Sequence, residues 1–355
     1  MTASASPSTD LVHLVGSVPL SASEDVFRQV SAALAGHLTR IPDGETGKRA
    51  RWVGFQRQLL QKLPELEVDA SVPPLRFVQW DGKLLLEIPL LRFKAGVDPD
   101  QVAFDTGYGP EALGSYAIFR RLRAEGAIPA GVRFQVCLPT PMASAYMYVS
   151  PNAHAAFLPF YEKALRRSID QIIAAVPPQD LSIQFDVCQE VLVFEDYYPR
   201  RPVDYKAQIF AELGRLGDMV PDQVEMGFHF CYGSPFDEHL VQPKDMGILV
   251  ELMNGTGAAV RRRLDFLHVP VPKDRSDDGY FAALRSWQQR PETRLYLGLI
   301  HHADQDGDRR RIAAAKRHVA VFGVASECGW GRGDPTRLGS LLESHRIAAE
   351  AIAAA

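Results

Sequence analysis

Short apolar runs alternate with longer stretches of helical spacing along most of this chain. LVHLVGS (11–17) is a candidate buried strand, and SASEDVFRQVSAALAGH after it has apolar residues at helical intervals, with Ser21 and Ser23 placed as N-caps. HLTRIPDGE (37–45), VRFQVCLP (132–139), LSIQFDV (181–187), VEMGFHF (224–230), LDFLHVP (264–270), RLYLGLI and HVAVFGV (318–324) continue the series. Helical patterns such as FLPFYEKALRRSIDQIIAAV and DYKAQIFAELGRLGDMV separate most of them. Alternation of this kind predicts parallel βαβ units, and eight units in one chain predict a (β/α)8 TIM barrel. An open doubly wound sheet is the alternative, but no G-x-G-x-x-G follows the first strand.

Residues 68–94 break the rhythm. LRFVQWDGKLLLEIPLLRF carries two apolar runs around Asp81-Gly82, a hairpin signal, so a β-hairpin is expected as an insertion after the second strand. The domain reading is a disordered segment 1–10 followed by one catalytic barrel over 11–355, closed by the helix TRLGSLLESHRIAAEAIAAA.

The bulk numbers narrow the function classes. The chain has 355 residues, 46% of them hydrophobic, which is enough to bury a large core without disulfides. A formal net charge of -4 gives no sign of a nucleic-acid or membrane-surface partner. No apolar run reaches the length of a membrane span, and MTASASPSTD lacks the apolar stretch of a signal peptide. Four scattered cysteines, Cys137, Cys188, Cys231 and Cys328, fit a cytoplasmic protein with thiols free for packing or metal.

In such a barrel the chemistry sits where strands end at their C-terminal side. Polar residues recur there: Ser17, Asp43, Glu45, Asp186, Glu190, His229, Cys231, His268, His301, His302, Asp304, Glu327 and Cys328. His229 and Cys231 are two apart on a strand and therefore point to the same side. Cys328 stands in the glycine-rich loop ECGWGRGDP, a poor place for a core thiol. Imidazole and thiolates are zinc ligands, so His229, Cys231 and Cys328 are expected to hold zinc. His268 is the candidate fourth ligand, with Glu327, His301 and His302 as competitors. Cys137 and Cys188 read as packed thiols. Arg40, Arg49, Arg51 and Arg332 are candidates for an anionic group, Arg49 being the one placed in the substrate site. Trp52 and Trp330 are candidates to stack on a flat donor. The run Asp304–Asp308 reads as a capped turn opening the helix RRRIAAAKRH.

With these residues in view, the chain resembles the catalytic barrel of the cobalamin-independent methionine synthase superfamily, in which uroporphyrinogen decarboxylase-like barrels are relatives. LVGSVP resembles that family's I-G-S-F-P, and PDGETGKRARWVGF its H-G-E stretch. IQFDV is similar to Q-I-D-E-P, FHFCYG to the zinc-binding H-x-C-Y, and ECGWGR to C-G-L-x-x-R. The resemblance implies zinc on His229, Cys231 and Cys328, with His268 where the family has an acidic ligand. It implies Ser17, Glu45 and Asp186 as the residues that hold a homocysteine-like substrate. His301 or His302, with Asp304, matches the family's D-I-H acid only loosely. No counterpart of the family's folate-holding N-terminal half is present, so methyltetrahydrofolate is not part of the expectation. The implied activity is zinc-dependent methyl or alkyl transfer from an alkyl donor to a small-molecule thiol. Two other readings stay open: a metal-free decarboxylase or lyase worked by carboxylates and arginines, and a barrel that binds a thiol or amino acid without turnover.

Overall fold

The structure, a computed structural model, describes residues 10–235 and 238–354. Among the described residues eleven strands fall in three sheets. The main sheet is parallel and contains β1 (Arg40–Pro42), β6 (Arg133–Pro139), β7 (Leu181–Val187), β8 (Glu225–Phe230), β9 (Phe266–Pro270), β10 (Arg294–Ile300) and β11 (Gly323–Ser326), in chain order. Neighbours pair in register along it, for example Asp186 with His229 and His229 with His268. These strands are buried on both faces, as a parallel sheet covered by helices requires.

The sheet curls, and the segment 11–18 spans the gap between β11 and β1. It does so through single bridges rather than a continuous ladder: Val12 pairs with Val324 and Ser17 with Gly44. His13 N–H donates to Val324 O at 2.9 Å, and Val18 N–H donates to Gly44 O at 3.0 Å. The first expected strand is therefore present as an extended stave, and the whole is a TIM-like barrel. The last expected strand is displaced: residues 318–322 lead out of the preceding helix, and pairing begins at Gly323.

Between β1 and β6 lie β2 (Leu66–Val68), β3 (Leu75–Val78), β4 (Leu84–Ile88) and β5 (Leu91–Phe93). β3 and β4 pair antiparallel across the Asp81-Gly82 turn, and β2 pairs antiparallel with β5. Phe77 stacks on Tyr197, and the Tyr197 hydroxyl contacts both the N–H and the carbonyl of Val78. The excursion is thereby pinned to the loop after β7.

Two local expectations change. The helix Ser23–Ala33 begins after Ala22 without a side-chain cap; Ser23 is its first residue and its hydroxyl faces Thr46 instead. The run from Asp304 to Asp308 is not a separate turn but the start of the helix Gln305–Lys316. The expected disordered segment 1–10 lies outside the described residues except for Asp10, which is fixed: it accepts hydrogen bonds from Thr39, Arg40 and Tyr296. Among the described residues no helix is long and apolar enough to cross a membrane.

Candidate metal centre

β8 ends on His229-Phe230-Cys231, and strand alternation turns the imidazole and the thiol to one side. The loop after β11 brings Cys328 against them from 97 residues further on. Cys231 Sγ and Cys328 Sγ lie 3.7 Å apart, and His229 Nε2 lies 3.9 Å from Cys328 Sγ. All three donor atoms lie within 4.8 Å of one another. Tetrahedral zinc with Zn–S near 2.3 Å and Zn–N near 2.0 Å requires ligand atoms about 3.5–3.8 Å apart, and the two distances to Cys328 Sγ lie within about 0.5 Å of that requirement.

Without an ion, burial and mutual contact keep the imidazole neutral and the thiols protonated, so metal binding would release thiol protons. Burial holds the His229 imidazole down to about 4, so it is neutral with a lone pair to offer. The contact with Cys231, reinforced by burial, pushes the Cys328 thiol up to about 12. Cys231 is raised as well, first by its contact with Cys188, which packs beside it. Arg332 Nη2 donates to Cys328 Sγ at 3.1 Å and Nε donates to Ser234 O at 2.6 Å, bringing positive charge to the sulfurs.

His268 is buried behind His229 rather than among the three donors. Its Nδ1 is 2.7 Å from His229 Nδ1, and its Nε2 is 3.0 Å from Ser326 O. Both nitrogens are occupied, so the structure does not bring it in as a fourth ligand. Glu327, the competitor next to Cys328, faces two imidazoles instead: His239 Nε2 at 3.0 Å and His301 Nδ1 at 3.4 Å.

A second cluster faces the same mouth. Glu45 has a left-handed backbone (φ 49°), which turns its carboxylate over Gly16; a Cβ at residue 16 would stand 3.4 Å from Glu45 Oε2 and 3.2 Å from Cys137 Sγ. Burial raises Glu45 to about 7. Asp186 is also raised, by burial first and then by the Glu45 charge; it accepts from Gln184 Nε2 at 2.8 Å and from Trp52 Nε1 at 3.2 Å. Ser17 accepts from Gly331 N–H at 3.1 Å, and its carbonyl accepts from Trp330 N–H at 2.7 Å, tying the first stave to the Cys328 loop. A Cβ at Gly329 would fall 2.3 Å from Ser17 Oγ, so this approach needs glycine.

Other expected site residues are not brought to the thiols. His302 Nδ1 contacts Ser340 Oγ at 2.8 Å, and Asp304 pairs with Arg311 at 3.0 Å. They follow His301 into the helix start, where the chain turns away from the strand axis. Arg49 is buried and forks onto Asp43 at 2.6 and 3.3 Å, so its charge is committed inside the protein. Arg40 belongs to the opposite end of the strands, with Glu225, Asp10 and Tyr296. These pairings leave Arg40 and Arg49, two of the four candidate arginines, engaged inside the protein. Trp330 is buried and donates to Ser326 Oγ at 2.6 Å, so it is a packing residue.

His239 escaped the sequence reading. It lies in the loop after β8, outside any strand, and its backbone carbonyl accepts from Gln79 Nε2 of the hairpin at 3.3 Å. Only the order H-x-C followed eight residues later by histidine could have flagged it.

No family model matches the chain, and no curated protein matches it. Two solved structures share its fold. One is a candidate vitamin-B12-independent methionine synthase from Listeria monocytogenes, with TM-score 0.55 and 14% identity, covering 94% of this chain and 86% of that one. The other is a B12-independent methionine synthase from Shewanella sp. W3-18-1 in complex with selenomethionine, with TM-score 0.62 and 14% identity, covering 97% of each chain. These structural neighbours are cobalamin-independent methionine synthase-like proteins, and at this identity the likeness is one of fold.

Proposed function

We propose that this chain is a zinc-dependent methyl or alkyl transferase acting on a small thiol of the homocysteine type, built as one catalytic barrel with an inserted hairpin. The observation that carries the reading is the convergence of one donor atom each from His229, Cys231 and Cys328 within 4.8 Å of one another at the C-terminal ends of the strands. The fold it shares with methionine synthase-like proteins, one of them bound to selenomethionine, supports the same substrate class. Four free cysteines fit a reducing, cytoplasmic setting.

His229, Cys231 and Cys328 would hold the ion and leave one position for substrate. A bound zinc ion supplies Lewis acidity that lets a coordinating thiol lose its proton near neutral pH. The chain supplies the rest. Glu45 and Asp186 offer two buried carboxyls to a substrate ammonium, and Ser17 closes that side. The Trp52 indole N–H holds one Asp186 oxygen in place. Glu327 keeps two imidazoles, His239 and His301, at the rim of the thiol cluster, where a proton can be held for a leaving group. His301 thus takes the acid role in this reading, with His302 and Asp304 shaping the turn behind it.

Metal analysis tests the reading directly. Purified protein is expected to carry about one zinc per chain and to transfer a methyl group to homocysteine from a suitable donor. Cys231→Ser is expected to lose the metal and the activity together. Protein without stoichiometric zinc, or a Cys231→Ser variant with full activity, sinks the proposal.

A further inference from the structure

His268 makes two contacts, and the inventory of donors and acceptors fixes the direction of both. The Ser326 carbonyl has no proton to give, so His268 Nε2, 3.0 Å away, carries a hydrogen and donates it. In a neutral imidazole the other nitrogen is then an acceptor, so His268 Nδ1 accepts. Its partner at 2.7 Å is His229 Nδ1, which must therefore be the N–H donor. That leaves His229 Nε2 with a bare lone pair, and Nε2 is the nitrogen that faces Cys328 Sγ at 3.9 Å. One chain of donors and acceptors thus runs from a backbone carbonyl to the cysteine cluster and permits a single tautomer of each ring.

Ser326 ties this chain to the thiols a second time. Its hydroxyl donates to Cys328 O at 2.9 Å and accepts from Trp330 Nε1 at 2.6 Å. The residue that sets the His268 tautomer therefore also holds the loop carrying Cys328. The strands agree with this arrangement, since His229 and His268 are register partners on β8 and β9.

We propose that His268 is a positioning residue of the metal centre, an outer partner that locks His229 as the Nδ1–H tautomer and so presents its Nε2 lone pair to the ion. The protein ligand set is then three, His229, Cys231 and Cys328, and the fourth position is left for substrate. This inference rests on the zinc reading above. It goes beyond it by removing His268 from the ligands and giving it a task that an acidic direct ligand could not perform. Outer partners of metal-bound imidazoles commonly change metal affinity by about 10–100-fold when removed.

Two measurements test it. Nitrogen-15 NMR of the imidazoles in metal-free protein is expected to show His229 protonated on Nδ1 and His268 on Nε2; a His229 proton on Nε2 overturns the proposal. Zinc affinity, read by competition with a chelator, is expected to fall about 10–100-fold in His268→Phe, which keeps a ring but offers no acceptor. His268→Asn, whose side-chain oxygen can stand near Nδ1, is expected to recover most of that loss. All three proteins should still bind one zinc per chain. Unchanged affinity in His268→Phe overturns the proposal, as does a change in coordination number seen in the cobalt-substituted absorption spectrum, which would make His268 a direct ligand. Should His268→Phe fail to fold, the tautomers of the unaltered protein decide. Should the unaltered protein bind no zinc, the functional reading falls and this inference with it; zinc bound without the expected tautomers overturns this inference alone.

Discussion

Glu45 and Asp186 face the mouth as two buried carboxyls, both held above the ordinary carboxylate range. Burial raises both carboxyls, the Asp43 charge adds to the rise at Glu45, and the Glu45 charge adds to the rise at Asp186. The Arg49 charge offsets part of the rise at Glu45, but its hydrogen bonds go to Asp43. An arrangement of this kind calls for a cation from outside. Glu45 titrates at about 7, so an ammonium-bearing ligand such as methionine should bind more tightly as pH rises through 7 and more weakly as it falls. Calorimetric titration from about pH 5.5 to about pH 8.5 is expected to show that slope, and Glu45→Gln to flatten it while costing about tenfold in affinity, the scale of one charge-assisted hydrogen bond. Equal slopes in the two proteins would remove Glu45 from the ligand site. The trio His229, Cys231 and Cys328 is legible at this scale because two of its members are two residues apart on a strand, and strand geometry alone turns them together. His268 reads as a ligand for the same reason of place; nothing in a sequence tells that both its nitrogens are satisfied by its neighbours. His239 is invisible there, since its link to Glu327 depends on a loop held from outside by Gln79.

Elements carry their own liabilities. The helix Gln189–Phe194 carries in its first turn Glu190, wholly buried, with neither carboxylate oxygen in a well-formed hydrogen bond. Glu212, on the helix Tyr205–Asp218, faces it, and burial raises both carboxyls, Glu190 to about 7. A carboxyl whose folded pKa lies above its unfolded value favours the folded state while protonated. The stability it contributes is complete below about 4.5 and is lost as pH rises through about 7. Glutamine imitates the protonated form at every pH. Glu190→Gln is therefore expected to match the unaltered protein at about pH 5 and to be more stable at about pH 8 by about 1–3 kcal/mol, since each tenfold change in proton affinity between the folded and unfolded chain is worth about 1.4 kcal/mol. Thermal unfolding at the two pH values checks it, and a variant that is less stable at the higher pH contradicts the paired-acid description. The element pattern is largely readable because buried parallel strands write continuous apolar runs. Boundaries are less so: HVAVFGV is apolar from Val319 onward, yet Val321 is exposed and pairing starts at Gly323. An apolar run marks a segment that can pair and does not say where its neighbour begins.

At the scale of the whole molecule the two ends of the strands have separate duties, as the barrel architecture implies. The eightfold alternation is legible in the sequence, but closure is not, because the first stave joins its neighbours by single bridges that leave no ladder pattern. What secures that junction lies at the N-terminal end. Arg40, 2% exposed, reaches Glu225 at 2.6 Å, Tyr296 at 2.9 Å and Asp10 at 3.2 Å, with its guanidinium 4.5 Å from the centre of the Phe266 ring. Asp10 precedes the first stave, Arg40 begins β1, and Tyr296 belongs to β10, so one cation binds the seam where the chain meets itself. Truncation takes the buried cation from Asp10 and Glu225, two half-buried acids that keep Thr39, Tyr296 and Arg133, a loss of about 3 kcal/mol, the low end for such networks. Arg40→Ala should therefore lower the unfolding free energy by about that amount and leave zinc affinity unchanged below the melting temperature. Cys231→Ser should abolish zinc binding while costing the metal-free protein no more than about 1 kcal/mol, as a small, nearly isosteric change. The two sites stand at opposite ends of the strands and share no partner, so their effects on stability in metal-free protein should add to within about 0.5 kcal/mol in the double variant. A coupling well beyond that would mean that the seam and the metal centre are one cooperative unit, and that the polar string between them, His13, Gln184 and Asp186, transmits strain along the barrel axis.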